Sequence, residues 1–285
     1  MAELLKGAAV TADLIGKLQT ETRQLKAKGI IPTLAILRVG EKENDLAYEK
    51  GAMKKCAEAG VEVKNVILPE DVSEETFFAA LDALNRDDAV HGILMFRPLP
   101  KHLDEERARN MLDPSKDVDG CTDGSMAGVF TNTEIGFSPC TAEAAMKILE
   151  FYGIDPMGKK AAVIGRSLVI GRPVAMMLMA KGATPAICHT KTRDVPEITR
   201  QADILIAASG QPESVGAEYV KEGQVVIDVG ISWSEEKGKL VGDVRFDEAE
   251  PVVSAITPVP GGVGAVTSTV LVSHVVTAAK RAAAR

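Results

Sequence analysis

Apolar and polar positions along this chain switch repeatedly between helical spacing and short continuous apolar runs. Residues 11–28 carry an amphipathic helix pattern closed by Gly29, and Pro32 then leads into a strand-like run from Thr33 to Val39. A second helix is predicted over about 44–59, stopped by Gly60, followed by a strand from Val61 to Leu68. Ser73, with Thr76 three residues on, marks the start of a further helix in a weaker variant of the capping pattern. Gly92-Ile-Leu-Met-Phe96 reads as a buried strand ending at Pro98 and Pro100. Residues 113–140 interrupt the rhythm. Asp113-Pro114, Asp117-Val-Asp119-Gly120 and Asp123-Gly124 are turn chemistry, so a binding loop and a domain boundary are expected there. Beyond it a helix from Thr141 to Tyr152 opens a second series, with strands at Ala161–Ile164, Pro185–Cys188, Asp203–Ala207 and Val225–Val229. A last helix runs from about Thr267 to Ala284. Alternation of this kind predicts an α/β fold with a mostly parallel sheet.

Composition narrows the function classes. The chain has 285 residues, enough for two ordinary domains, and 46% apolar with 26% charged residues is a globular balance. A net charge of −7 argues against a general nucleic-acid binder and against anionic membranes. No run approaches the roughly 20 apolar residues of a membrane-spanning helix, and the N-terminus lacks the pattern of a signal peptide. Cys56, Cys121, Cys140 and Cys188 lie far apart and do not alternate with the histidines at metal-ligand spacing. Free thiols in a reducing cytoplasm, and no metal, are expected.

Candidate chemistry begins at Ala161-Ala-Val-Ile-Gly165-Arg166-Ser167-Leu-Val-Ile-Gly171-Arg-Pro173, a strand, a tight turn and a helix start. Pro173 suits the first helical turn, and backbone N–H groups at such a start attract a phosphate. Ser167 stands where the ordinary dinucleotide fingerprint has a second glycine, so a plain strand-to-helix turn remains an alternative for this loop alone. The end of the next strand reads His189-Thr190-Lys191-Thr192-Arg193, with no acid before Asp194. An NAD site usually places a carboxylate there to bind the ribose hydroxyls, whereas hydroxyl and basic groups favour the 2′-phosphate of NADP.

Three more stretches decide the family: Lys116-Asp-Val-Asp119-Gly120, Pro139-Cys140-Thr141, and Ile256-Thr257-Pro-Val-Pro260-Gly-Gly-Val-Gly264. With the nucleotide loop and Val226-Ile-Asp-Val-Gly230-Ile231, they resemble the methylenetetrahydrofolate dehydrogenase/methenyltetrahydrofolate cyclohydrolase family, collinearly from about residue 1 to 280. The resemblance implies a two-lobed homodimer acting in one-carbon metabolism. Residues 1–140, joined by the C-terminal helix 266–285, would form the catalytic, folate-binding domain, and residues 141–265 a Rossmann NADP-binding domain. It implies oxidation of 5,10-methylenetetrahydrofolate with NADP, followed in most members by hydrolysis of the methenyl product to 10-formyltetrahydrofolate. By position, Gly165, Arg166 and Ser167 would hold the phosphates, and Thr190 would lie near the 2′-phosphate. Ile231 and Thr267 would line the nicotinamide pocket, with Thr141 contributing from the lobe boundary. Asp119 would accept hydrogen bonds from the pterin, whose adjacent N–H donors suit a charged acceptor, and Tyr48 would pack over the folate ring. Hydride transfer asks little else of side chains, because the cofactor carries the chemistry.

The chain departs from the family at the hydrolytic step. The family lysine four residues after the tyrosine is here Ala52, and the glutamine preceding the Pro-Leu-Pro segment is Phe96. On a helix Lys50 and Lys54 lie about 200° and 240° around the axis from Tyr48, pointing away. Lys55 shares the face, about 4.5 Å further along the axis than Ala52. The expectation is a dehydrogenase with little or no cyclohydrolase activity. The alternatives are retention of hydrolysis through Lys55 or Arg97, a non-catalytic folate/NADP binder, or a two-lobed dehydrogenase resembling shikimate dehydrogenase, which leaves the Asp119 loop unexplained.

Overall fold

A computed structural model of the chain describes residues 1–284; residue 285 lies outside the described residues. It comprises two compact units, one of residues 12–140 with 268 onward and one of residues 1–11 with 141–267.

In chain order the first elements are β1 (Glu3–Leu4), α1 (Gly7–Ala27), β2 (Thr33–Val39), α2 (Glu43–Ala59), β3 (Glu62–Leu68), α3 (Glu74–Arg86) and β4 (Gly92–Met95), then α4 (Glu105–Met111) and α5 (Asp123–Thr131). β2, β3 and β4 form a parallel three-stranded sheet with β2 in the middle. β2 is buried along its length because a central parallel strand is covered on both faces. Phe77, Leu81 and Leu84 of α3 pack against Leu37, Ile93 and Met95 to make the core. α3 starts where the Ser73 signal places it: the Ser73 hydroxyl accepts the Thr76 amide at 3.2 Å. α2 is fixed to β2 by a buried ion pair, Arg38 Nε to Glu49 Oε2 at 2.7 Å, with the same guanidinium donating to the Gly40 carbonyl.

The stretch 113–140 is not wholly irregular. The Thr122 hydroxyl accepts the Ser125 amide at 3.0 Å and so caps α5, making Asp123-Gly124 a first helical turn rather than a loop.

The second series is α6 (Cys140–Phe151), β5 (Lys160–Ile164), α7 (Gly171–Ala180), β6 (Thr184–Cys188), α8 (Val195–Gln201), β7 (Ile204–Ala207), β8 (Val225–Asp228), β9 (Ser232–Ser234), β10 (Lys239–Val241), α9 (Phe246–Ala249), β11 (Ala255–Ile256) and α10 (Gly264–Ala283). Six strands form one parallel sheet in the order β1-β11-β8-β7-β5-β6. β1 pairs with β11, so the first residues of the chain extend this sheet rather than the three-stranded one. The strand order reverses at β5, with β6 on one side and β7 on the other. In doubly wound folds ligands bind at that reversal, beyond the carboxyl ends of the strands. β9 and β10 form a separate antiparallel hairpin. The later part of α10 belongs with the first unit, where Lys280 pairs with Glu21 at 3.1 Å and Arg281 donates to the Gly136 carbonyl at 2.9 Å. The return of the last helix to the first lobe is therefore observed.

Candidate active site

Two sets of groups gather the residues singled out by the sequence. Tyr48, Lys55 and Asp119 lie in the first unit; Thr141, Gly165, Arg166, Ser167, Thr190, Ile231 and Thr267 lie in the second.

In the first unit the loop after β4 is built around Asp117, which is fully buried. Its carboxylate accepts the amides of Cys121 and Thr122 at 3.0 and 2.8 Å and the Ser125 hydroxyl at 2.6 Å. Lys116 ties the same loop to the end of α3 through the carbonyls of Leu84 and Asp87, while its own carbonyl accepts the Ile93 amide at 2.7 Å. Asp117 is thus spent on holding the loop together. Gly120 follows with φ of +68°, and a side chain there would meet the backbone of Ser138 and Pro139 at 2.5 Å.

Asp119 is half-buried beside Arg97, with Arg97 Nη2 3.8 Å from its Oδ2. Burial pushes its carboxyl up to about 6, against the opposing pull of Arg97; Asp117 adds to the rise, and the Cys140 thiol and His274 oppose it. Behind the loop, His274 of α10 sets Nδ1 2.8 Å from the Val118 carbonyl, an acceptor, so this nitrogen carries the proton. Cys140 Sγ also lies on that carbonyl, at 3.2 Å. Tyr48 is set on α2, and the buried Phe96 ring meets it edge-on at 5.9 Å. Burial, with Cys140 and Asp119 nearby, raises the Tyr48 phenol well above its ordinary value and keeps it protonated.

Ala52, one helical turn beyond Tyr48, is fully buried. Lys55 is not drawn toward Tyr48: its Nζ pairs with Glu58, three residues further along the same helix, at 2.6 Å.

In the second unit the cofactor candidates stand at the carboxyl ends of strands of the six-stranded sheet: Gly165 after β5, Thr190 after β6 and Ile231 after β8. Gly165 has φ of +119°, and a Cβ there would fall 2.1 Å from the Ala208 carbonyl oxygen. Only glycine lets the β5 and β7 ends approach so closely at the sheet's reversal point. The Ser167 hydroxyl accepts the Ile170 amide at 3.1 Å, shaping the turn into α7, and Arg166 and Ser167 are exposed on it. Thr190, Lys191 and Arg193 are exposed on a turn closed by Thr192 Oγ1 accepting the His189 amide at 3.0 Å. These features fit a dinucleotide: an open turn at a helix start for the phosphates, with hydroxyl and basic groups where a 2′-phosphate would lie. Thr267 is buried on the first turn of α10, Ile231 is exposed, and Thr141 is the second residue of α6.

The backbone carrying Ile231 is braced by Asp228, whose carboxylate accepts the amides of Gly230, Asp243 and Val244, each at 3.0 Å. Burial, with Asp243 beside it, pushes this carboxyl up to about 7 against those donors. Thr257, from the Thr-Pro-Val-Pro run, accepts the Asp228 amide at 2.7 Å and so ties the β11 end to the β8 end.

Sequence reasoning did not single out Asp117, Asp228 or His274, nor the pairing of Arg97 with Asp119. Asp117 and Asp228 sat inside quoted motifs, and their burial is what separates bracing carboxylates from exposed ones. His274, a lone histidine in an apolar helix, gave no signal.

Comparison with known proteins identifies the family. The tetrahydrofolate dehydrogenase/cyclohydrolase catalytic domain matches residues 5–119, and the NAD(P)-binding domain of the same family matches residues 139–283. The bifunctional protein FolD of Carboxydothermus hydrogenoformans is 48% identical over 279 residues, covering 98% of this chain and 97% of the relative. The crystal structure of bifunctional FolD, a methylenetetrahydrofolate dehydrogenase/cyclohydrolase from Campylobacter jejuni, is 41% identical with a TM-score of 0.95, covering 99% of each chain. The Trypanosoma brucei enzyme of the same name, solved with NADP cofactor and inhibitor, is 34% identical with a TM-score of 0.91, covering 100% of this chain and 99% of that one. The chain belongs to the tetrahydrofolate dehydrogenase/cyclohydrolase family.

Proposed function

We propose that this protein oxidises 5,10-methylenetetrahydrofolate to the methenyl compound with NADP, and that it has lost the family's hydrolytic step. The observation that carries the dehydrogenase reading is the intact pair of sites: the Gly165 turn at the sheet's reversal point in one unit, and Asp119 with Tyr48 in the other.

NADP, when bound, supplies the hydride acceptor. The residues of this chain bind and orient. Gly165, Arg166 and Ser167 receive the phosphates at the start of α7, and Thr190 with its basic neighbours receives the 2′-phosphate. Thr141, Ile231 and Thr267 border the nicotinamide. Asp119 accepts hydrogen bonds from the pterin N–H groups, and Tyr48 offers its ring to the folate.

Hydrolysis needs a base that activates water, and no such group stands in the first unit at the two expected positions. Ala52 is a buried methyl group, Phe96 contributes a ring to Tyr48, and Lys55 is held by Glu58. All four cysteines are buried, which fits the cytoplasm, and no helix among the described residues is long and apolar enough to cross a membrane. A homodimer is the assembly this reading assigns, and the exposed Trp233 on the β9–β10 hairpin is a side chain that a second copy would cover. Reduction of NADP by purified protein supplied with methylenetetrahydrofolate tests the reading.

A further inference from the structure

Arg97 is the residue in the first unit whose placement the proposed reaction does not yet explain. Its guanidinium reaches Asp119 at 3.8 Å, neither bidentate nor at ideal length, and its Nε is buried without a hydrogen-bond partner. Buried donors are ordinarily satisfied, so a guanidinium left partly unpaired is poorly explained as a structural tie. The groups facing Asp119 are Asp117 on its own loop, Cys140, His274 of α10, Tyr48 of α2, and Arg97 following β4. Asp117 adds negative charge, and the Tyr48 phenol is neutral. His274 uses Nδ1–H on the Val118 carbonyl, and Cys140 lies on that same carbonyl. Of these groups only Arg97 carries a permanent positive charge.

We propose that Arg97 is a positioning residue of the folate subsite, keeping the Asp119 carboxylate charged and turned toward the pterin N–H donors. The inference rests on the folate reading of Asp119. A carboxylate partly withdrawn from water keeps its charge more readily beside a cation, and loss of that cation moves its titration upward. Arg97 thereby acts through Asp119: its loss weakens substrate capture at neutral pH and leaves turnover of bound substrate nearly intact at high pH.

The test compares wild type, R97L and R97K. The first readout is the 13C carboxyl titration of Asp119, assigned with D119N and free of any substrate. The second is kcat/KM for methylenetetrahydrofolate across pH at saturating NADP. In R97L the Asp119 midpoint and the acid limb of kcat/KM both move up by about one pH unit, a roughly tenfold loss below the limb. The loss sits in KM, and R97K restores both readouts. Should R97L fail to fold by circular dichroism, R97Q, which keeps a planar donor without the charge, carries the same expectation. An Asp119 midpoint at the wild-type position in the uncharged variant overturns the proposal, whatever the activity. A displaced midpoint in a protein that reduces no NADP leaves Arg97 in its electrostatic role and sinks the folate reading instead.

Discussion

Replacing Asp119 by asparagine should make the protein more stable and nearly useless, and the size of the gain can be worked out. Asp119 ionises at about 6 in the folded chain, against 3.8 for an unperturbed aspartate, chiefly because its surroundings desolvate the charge. Between those two values the native state holds a proton that the unfolded state has released, so stability falls as pH rises through the window. Above it the full cost of the buried charge is present; below about pH 4 it is absent. At about 1.4 kcal/mol per pH unit the difference is roughly 3 kcal/mol, an upper figure because the side chain keeps some contact with water. Asparagine resembles the protonated acid in shape and charge. Urea unfolding of D119N and wild type should therefore differ by about 2–3 kcal/mol in favour of the variant at pH 7, and converge near pH 4. Folate binding should fall by about ten- to a hundredfold, the worth of a charge-assisted hydrogen bond. A variant less stable than wild type at pH 7, or a difference that does not change with pH, would refute the reasoning.

Two further substitutions probe the other parts of the account. Installing the family pair with A52K and F96Q should raise methenyltetrahydrofolate hydrolysis at least about tenfold above buffer, since a placed general base typically contributes about 10²–10⁴-fold; no gain would show that more than these two side chains has been lost. Gly165→Ala should abolish NADP binding by fluorescence titration, because the added Cβ falls 2.1 Å from the Ala208 carbonyl oxygen at a backbone φ of +119°; unchanged affinity would mean that the turn is not part of the cofactor site.

Much of this architecture could be read from local chemistry. β2, β4, β5, β7 and β8 are short apolar runs bounded by turn residues, and Ser73 announced its helix through a cap that the structure contains. The turn between β5 and α7 was legible because its glycines serve a backbone need. What escaped depended on distant partners. β1 is two residues long and has no periodicity; only its pairing with β11 makes it a strand. Asp123-Gly124 has the composition of a turn, and the Thr122 cap decides for a helix. Asp117 and Asp119 are chemically identical in sequence. Three donors within the loop claim the first, while the second faces Arg97. His274 is more than 150 residues from the carbonyl it holds, a contact no local pattern records.

The most direct measurement follows reduced NADP and methenyltetrahydrofolate separately, with purified protein, methylenetetrahydrofolate and NADP, beside a buffer control for spontaneous hydrolysis. The account predicts that the methenyl compound accumulates in step with reduced NADP and decays no faster than in buffer. Faster decay would contradict the loss of hydrolysis assigned to Ala52 and Phe96. An absence of NADP reduction would contradict the central claim.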